Sequence, residues 1–322
     1  MRETMRAAII DGPGDPGVFR VAELAVPDRV SAEFLVKVVA AGVNPIDAKT
    51  RSGGGVFDAI RQFPSVLGHD FSGVVVQSPY DAHPIQPGDE VFGMVMVPRF
   101  GGSYAEYVTV PSISVVRKPS TLSHIEAAGA PVAALTAWGM VVEVAKAHEG
   151  QRMLIHAGSG GVGHFAVQFA SYFGAHVIAT SSARNLGWLR ELGATEVIDY
   201  TKTRFEDAVS AVDVVIDLIG NVQDDTGSRS LKVLRPGGLI VNVPSGSWPT
   251  FAAEVADAGV RGTGFKVAPD GHSLAVIARL LESSAVRVHV DRIFDLDQVA
   301  DAHRALELGH TRGKMVLKVA EG

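Results

Sequence analysis

A chain of 322 residues is long enough for about two domains of roughly 150 residues each. Its 47% hydrophobic and 20% charged composition excludes disorder as the main state. A net charge of -6 argues against nucleic acid or an anionic membrane as the main partner, and the absence of cysteine excludes disulfides, thiol nucleophiles and zinc sites built on thiolates.

In chain order, the start leads from Arg6 only into Ala7-Ala8-Ile9-Ile10 before Asp11. That apolar run is too short for a secretory core, so a cytoplasmic location is expected. The first 120 or so residues read as β-rich. The segments Phe34–Val39, Gly73–Gln77, Asp89–Val97 and Ser103–Val110 carry β-branched and aromatic residues, and turn clusters such as Gln86-Pro87-Gly88-Asp89 separate them. From His124 the pattern becomes an alternation of helix and strand. Helical runs are expected near 124–147, 162–173, 184–192 and 204–210. Strands are expected at Met153–Ala157, His176–Thr180, Glu196–Asp199, Asp213–Leu218 and Leu239–Val243. Short apolar strands alternating with helices predict parallel βαβ units and a doubly wound sheet. A helix at Ser273–Leu281, a strand near Val286–Phe294, a helix at Asp297–Glu307 and a final strand at Gly313–Val319 complete the chain. No Lys, Arg, Asp or Glu lies between Arg152 and Arg184, but five glycines and three histidines interrupt that stretch. Two buried strands around a helix account for it better than a membrane span does.

Gly158-Ser159-Gly160-Gly161-Val162-Gly163 fits G-x-G-x-x-G, a weak signal alone. Here it follows an apolar strand, opens a helical run and is followed by a second strand within about 30 residues, which is the context of a dinucleotide fingerprint. Glycines allow the tight turn and let backbone amides approach a pyrophosphate at the helix N-terminus. An NAD site carries Asp or Glu at the end of the second strand, where this chain has Thr180-Ser181-Ser182-Ala183-Arg184. Small hydroxyl residues leave room for a phosphate and Arg184 can bind it, so NADP(H) is expected.

Seven motifs stand in order along the chain: Gly42-Val43-Asn44-Pro45-Ile46-Asp47, Pro64 to Val75 with Gly68-His69-Asp70 inside it, Gly88 to Gly93, Gly102 to Val108, Leu135-Thr136-Ala137-Trp138 with the glycine loop, Leu192-Gly193-Ala194-Thr195, and Gly313 to Leu317. With them the sequence resembles the zinc-independent quinone oxidoreductases of the medium-chain dehydrogenase/reductase superfamily. The resemblance implies a GroES-like, partly open β-barrel catalytic domain (1–123 and 267–322) split around a Rossmann dinucleotide-binding domain (124–266). It also implies NADPH-dependent reduction of quinones or related α,β-unsaturated carbonyls, commonly by a homodimer. By the same resemblance, Asn44 lies beside the nicotinamide and is the catalytic candidate, and Thr136 contacts the cofactor. Ser159, Gly160, Gly161, Val162 and Gly163 form the pyrophosphate loop. Ser181, Arg184 and Tyr200 occupy the adenosine-phosphate region, and Asn242, Val243 and Pro244 meet the nicotinamide.

Zinc-dependent relatives place a cysteine where Asn44 stands and a Gly-His-Glu where this chain has Gly68-His69-Asp70. Two remaining side chains without a thiolate make a poor zinc site, so no metal is expected. A hydride passed to a quinone develops an oxyanion that the ring itself stabilises, so orientation and exclusion of water carry most of the mechanism. An enone, alkenal or enoyl thioester makes more use of a proton donor, and Tyr104 is the first suspect, although its place in an alternating strand favours a core or wall position. His164, directly after the glycine loop, is a weaker candidate. A low-turnover NADPH-binding sensor is the alternative outside enzymology. The segment Val260–Val267, with its β-like alternation around glycines, is expected as an edge strand through which a two-fold dimer pairs.

Overall fold

The computed structural model describes residues 3–95 and 102–320, and it divides into two compact units, Met1–Leu135 with Ala268–Gly322, and Thr136–Val267. The first unit is built mainly on antiparallel sheet, with Val290–Asp295 and Lys314–Lys318 paired in parallel. Its largest sheet runs in the order Val290–Asp295, Lys314–Lys318, Glu33–Val43, Asp70–Gln77, Glu90–Met94 and Val115–Arg117, with Tyr107–Pro111 pairing to Glu33–Val43 off that path. A three-stranded sheet of Arg20–Ala25, Thr4–Ile10 and Ser65–Val66 accompanies it. The opening apolar run Ala7–Ile10, judged above only for a signal core, is thus the end of a strand.

The alternation in Tyr107–Pro111 sends Val108 and Val110 inward, as a half-buried strand requires. These join Ile9, Ile10, Phe34, Val36, Phe71, Met315 and Leu317 in one continuous core. Each such side chain contributes about 1.5–3 kcal/mol on burial. The expected strand Asp89–Val97 spans Glu90–Met94; Met96 and Val97 lie outside the described residues. Ser103–Val110 is shorter than expected as a strand, because regular pairing begins at Tyr107 and only the bridge of Ala105 to Ala7 precedes it.

The second unit is a six-stranded parallel sheet in the order Glu196–Asp199, His176–Ser181, Arg152–Ile155, Val212–Asp217, Leu234–Asn242 and Arg261–Gly264. In sequence-order terms this is 3-2-1-4-5-6, the Rossmann arrangement, which places the switch point beside the first of these strands. Arg261–Gly264 stands at the edge, within the segment expected there.

Two boundaries differ from expectation. The run 124–147 is three elements, helices His124–Ala128 and Pro131–Trp138 and a π-helical turn Gly139–Val144, because Gly129 and Pro131 interrupt it. At Gly139 a Cβ would stand 2.1 Å from the Phe265 ring, so any larger residue there would have to displace that ring. The first unit also extends to Leu135 rather than ending at 123. The helix His124–Ala128 packs so closely on its sheet that a Cβ at Gly42 would meet the Ala128 carbonyl at 2.4 Å. The Val132 amide, moreover, donates to Asp70 at 2.7 Å. These contacts tie 124–135 to the barrel despite a helical pattern that reads as cofactor domain.

Candidate functional site

In the second unit, the strand Arg152–Ile155 ends in the glycine loop, and the helix Gly163–Tyr172 begins at its last glycine. The close approach is literal. A Cβ at Gly163 would lie 2.1 Å from the Ala157 carbonyl and 2.8 Å from the Gly158 Cα. The His164 and Ala166 amides donate to the Gly160 and Val162 carbonyls at 3.0 Å each, and the positive end of the helix dipole at this turn suits an anionic group. Ser159 and Ser181 meet through their hydroxyls at 2.8 Å, and Asn185 donates to Ser159 Oγ at 3.1 Å. The structure therefore brings the loop and the end of the second strand together, and Asn185 is a contributor that motif reading missed. Ser181 is buried, and Arg184 is exposed in the short turn Ala183–Asn185 that follows. Tyr200 is also exposed, and its amide donates to the Ser181 carbonyl at 3.2 Å. Asn242 ends its strand with Nδ2 donating to Asp217 Oδ2 at 2.9 Å, and the Val243 amide donates to the Asp217 carbonyl at 3.1 Å. Pro244 follows directly, half-buried, and Thr136 is buried. No Asp or Glu directly follows His176–Ser181 in the chain, although Asp199 of the neighbouring strand pairs in register with Ser181 and takes the Ala183 amide. These residues fit a dinucleotide with a phosphorylated ribose.

His164 is fully buried, with Nδ1 3.1 Å from the Gly160 carbonyl and its ring beside Phe165 and Trp188. That is a packing position. His156, under the loop, has Nδ1 3.1 Å from Thr180 Oγ1 and Nε2 2.9 Å from Ser230 Oγ. Burial drives its pKa down to about 4, against the pull of Asp217.

The first unit holds a buried polar network. Asn44 stands at the start of the helix Pro45–Arg51, with proline in the first turn, and its backbone amide donates to Asp47 Oδ2 at 3.0 Å. Its side-chain amide is engaged at both ends. Nδ2 donates to Asp70 Oδ2 at 2.8 Å, and Oδ1 accepts from Lys314 Nζ. Lys314 also donates to the Val43 carbonyl at 3.3 Å and lies 3.5 Å from Asp70 Oδ2. Burial raises the Asp70 pKa and lowers that of Lys314, and each opposes the shift of the other. Asp47, wholly buried, pairs with His69 Nδ1 and accepts from the Tyr104 hydroxyl at 3.1 Å. Burial works against its charge, but His69, His303 and the Asn44 amide together hold its pKa below the ordinary carboxylate value. Tyr104 is fully buried with its hydroxyl also 3.4 Å from His303 Nε2. Burial, with Asp47 beside it, pushes its pKa well above 10.

Asn44 is accordingly clamped between an acid and an ammonium, and the structure makes it an anchor of this network. Sequence reading quoted Asp47 and Lys314 inside motifs without giving them a role. The first carries a signal, an acid three residues after a helix-capping asparagine. The second, 270 positions away from Asn44, carries none. The donor set does not make a zinc site. Asn44 and Asp70 are committed to Lys314 and to each other, Asp47 holds His69, and only the second nitrogen of His69 is left. Among the described residues no group of three His, Asp or Glu side chains is arranged to hold a metal.

Comparison with known proteins agrees with this geometry. The profile "Alcohol dehydrogenase GroES-like domain" matches residues 30–120, and "Zinc-binding dehydrogenase" matches 192–317. The 2-methylene-furan-3-one reductase of Solanum lycopersicum is 38% identical, over 92% of this chain and 74% of that protein. The chain belongs to the quinone oxidoreductase family of the medium-chain dehydrogenase/reductase superfamily. Within that family, the NADPH-dependent alkenal/one oxidoreductase of Arabidopsis thaliana, named as chloroplastic, is 34% identical over 97% of this chain and 79% of its own length. The solved structure of the quinone oxidoreductase from Coxiella burnetii superposes with a TM-score of 0.93 at 37% identity, covering 99% of this chain and 100% of that one. This family member is an NADPH-dependent oxidoreductase with a Rossmann unit and a GroES-like unit.

Proposed function

We propose that the protein reduces quinones with NADPH and without zinc. The observation that carries the reading is the commitment of Asn44 and Asp70 to Lys314. It leaves no ligand set to activate an alcohol, whereas a quinone is electrophilic enough to need none. The likeness to a quinone oxidoreductase over the full chain supports it. In this reading Ser159 to Gly163 hold the pyrophosphate, Ser181, Arg184 and Tyr200 hold the adenosine phosphate, and Thr136, Asn242, Val243 and Pro244 orient the nicotinamide, which supplies the hydride. Asn44 acts by holding Asp70 and Lys314 in register.

A second reading, reduction of α,β-unsaturated carbonyls, is favoured by the acid–histidine pair of Asp47 and His69 and by the printed names of two relatives. Steady-state oxidation of NADPH with 1,4-benzoquinone, 9,10-phenanthrenequinone and a short enal tests both. Turnover of the quinones supports the first, turnover of the enal supports the second, and oxidation with none of the three overturns the enzyme assignment to these substrates.

The reading includes a two-fold dimer paired through the edge strand Arg261–Gly264, which light scattering at micromolar concentration tests; a monomer contradicts it. A cytoplasmic location also belongs to the reading. No helix among the described residues is long and apolar enough to cross a membrane, and microscopy of the tagged chain in its own cell distinguishes cytoplasm from an organelle.

A further inference from the structure

We propose that His69 is the acid that delivers a proton to an α,β-unsaturated carbonyl substrate, oriented for that task by the buried carboxylate of Asp47. The inference rests on the enone reading above and names the residue that would complete it. The other titratable groups around His69 are spent on one another. Tyr104, the first suspect from sequence, is fully buried, and its hydroxyl is spent on Asp47 and His303. It offers neither reach nor acidity. His303 is fully buried, and burial drives its pKa to about 4, so it stands neutral near pH 7. Lys314 is turned inward onto Asn44, Val43 and Asp70. Asp70 accepts from Asn44 and Val132 and faces Lys314.

His69 is placed differently. Its Nδ1 is taken by Asp47, which fixes the ring and leaves Nε2 as the nitrogen for an outside partner. Its side chain keeps 6% exposure while that of Asp47 keeps none. Asp47 is itself fixed by the Asn44 amide and the Tyr104 hydroxyl, so the ring is oriented by a carboxylate that cannot swing. When the ring carries both protons, Asp47 compensates its charge, and Nε2–H is the proton that can leave. An acid within reach of its target and held by a second group is the arrangement that general acid catalysis uses.

The hydride supplied by NADPH forms a C–H bond at the β carbon. The alkene π pair moves onto the α carbon and carbonyl oxygen, and the Nε2–H bond of His69 breaks as its proton goes to the α carbon. NADPH has been oxidised to NADP⁺, the alkene has been reduced, and the neutral His69 regains a proton from water. A quinone needs this less, because its reduced monoanion is stabilised by the ring and takes a proton from water directly.

The test is His69→Asn, whose side-chain NH₂ stands near the position of Nδ1 and keeps the bond to Asp47 while removing the acid. The measured quantities are kcat with a short enal and with 1,4-benzoquinone, the NADPH dissociation constant by fluorescence, and the solvent isotope effect of the parent protein with each acceptor. Acid catalysis of this kind supplies about 10²- to 10⁴-fold, so the enal rate should fall by that factor and by at least about tenfold more than the quinone rate. NADPH affinity should hold. The parent protein should show a normal solvent isotope effect on kcat with the enal and a smaller one with the quinone, a result that stands even if the variant fails to fold. Equal losses for the two acceptors, an unchanged enal rate, or no solvent isotope effect with the enal overturns the proposal alone. Failure of the parent protein to reduce the enal overturns the enone reading together with it.

Discussion

The two units bury charge in opposite ways. In the first, interior acids face interior bases: Asp47 with His69 and Asp70 with Lys314. In the second, buried ionisable groups are met by neutral partners: His156 sits between two hydroxyls and stays neutral, and Asp217 accepts from the Ile219 and Gly220 amides and from Asn242, while ion pairs such as Glu206 with Arg229 and Asp213 with Arg235 lie nearer the surface. The contrast follows the division of work. A unit that binds an anionic dinucleotide does so with backbone amides and a helix N-terminus, which need shape but few side-chain charges. A unit that handles the substrate needs oriented protons and charges, and it can bury them only in pairs.

Breaking one buried pair should give the largest effect. Lys314→Met leaves Asp70 buried without its cation and answered only by neutral donors, and removing one partner of such a pair costs about 3–5 kcal/mol. Asp70→Asn combined with Lys314→Met should recover at least half of that loss. Denaturant unfolding of the parent, both single variants and the double variant measures the coupling. Additive losses would mean that the pair is not an interaction unit.

The neutral histidine of the second unit gives the next effect, and its sign differs from that of a salt bridge. A pKa of about 4 in the folded protein against the ordinary 6.5 of histidine means that the unfolded chain binds the extra proton between those values. The stabilisation is therefore present above pH 6.5 and lost as the pH falls toward 4. At about 1.4 kcal/mol per pH unit this amounts to about 3 kcal/mol. His156→Gln should flatten the fall in stability over that range by a similar amount, read from urea midpoints at pH 7, 5.5 and 4.5. An equally steep fall in the variant would assign the loss to other groups, His303 first among them.

The same contrast governs how much could be read before the structure. The second unit was legible because its site is local. The strand, the Gly158–Gly163 turn and the following helix are contiguous, and Gly163 is fixed by a contact only six residues back, at Ala157. The first unit was legible in its strands and its motifs but not in its network. Asp47 reaches His69 and Tyr104, and Lys314 reaches Asn44, across separations that leave no periodicity in the sequence. Tyr104 could be suspected from its type, yet only the fold shows that its hydroxyl faces inward onto Asp47, and that His69 has Nδ1 on the same carboxylate. The boundary at 135 was missed for the same reason, since the helical pattern of 124–135 says nothing of the Asp70 carboxylate that its backbone caps.

The most direct test of the account is a fluorescence titration of NADPH and NADH against the parent protein and Arg184→Ala. The second unit is held to select the phosphorylated cofactor through an exposed cation and a strand end without a carboxylate. Hydrogen bonds to charged groups are worth roughly 1.5–3 kcal/mol, so Arg184→Ala should weaken NADPH binding by about 10- to 150-fold. NADH, which lacks the phosphate, should bind both proteins nearly alike, and added salt should weaken NADPH more than NADH. A parent protein that prefers NADH, or a variant that weakens both cofactors equally, would contradict the account.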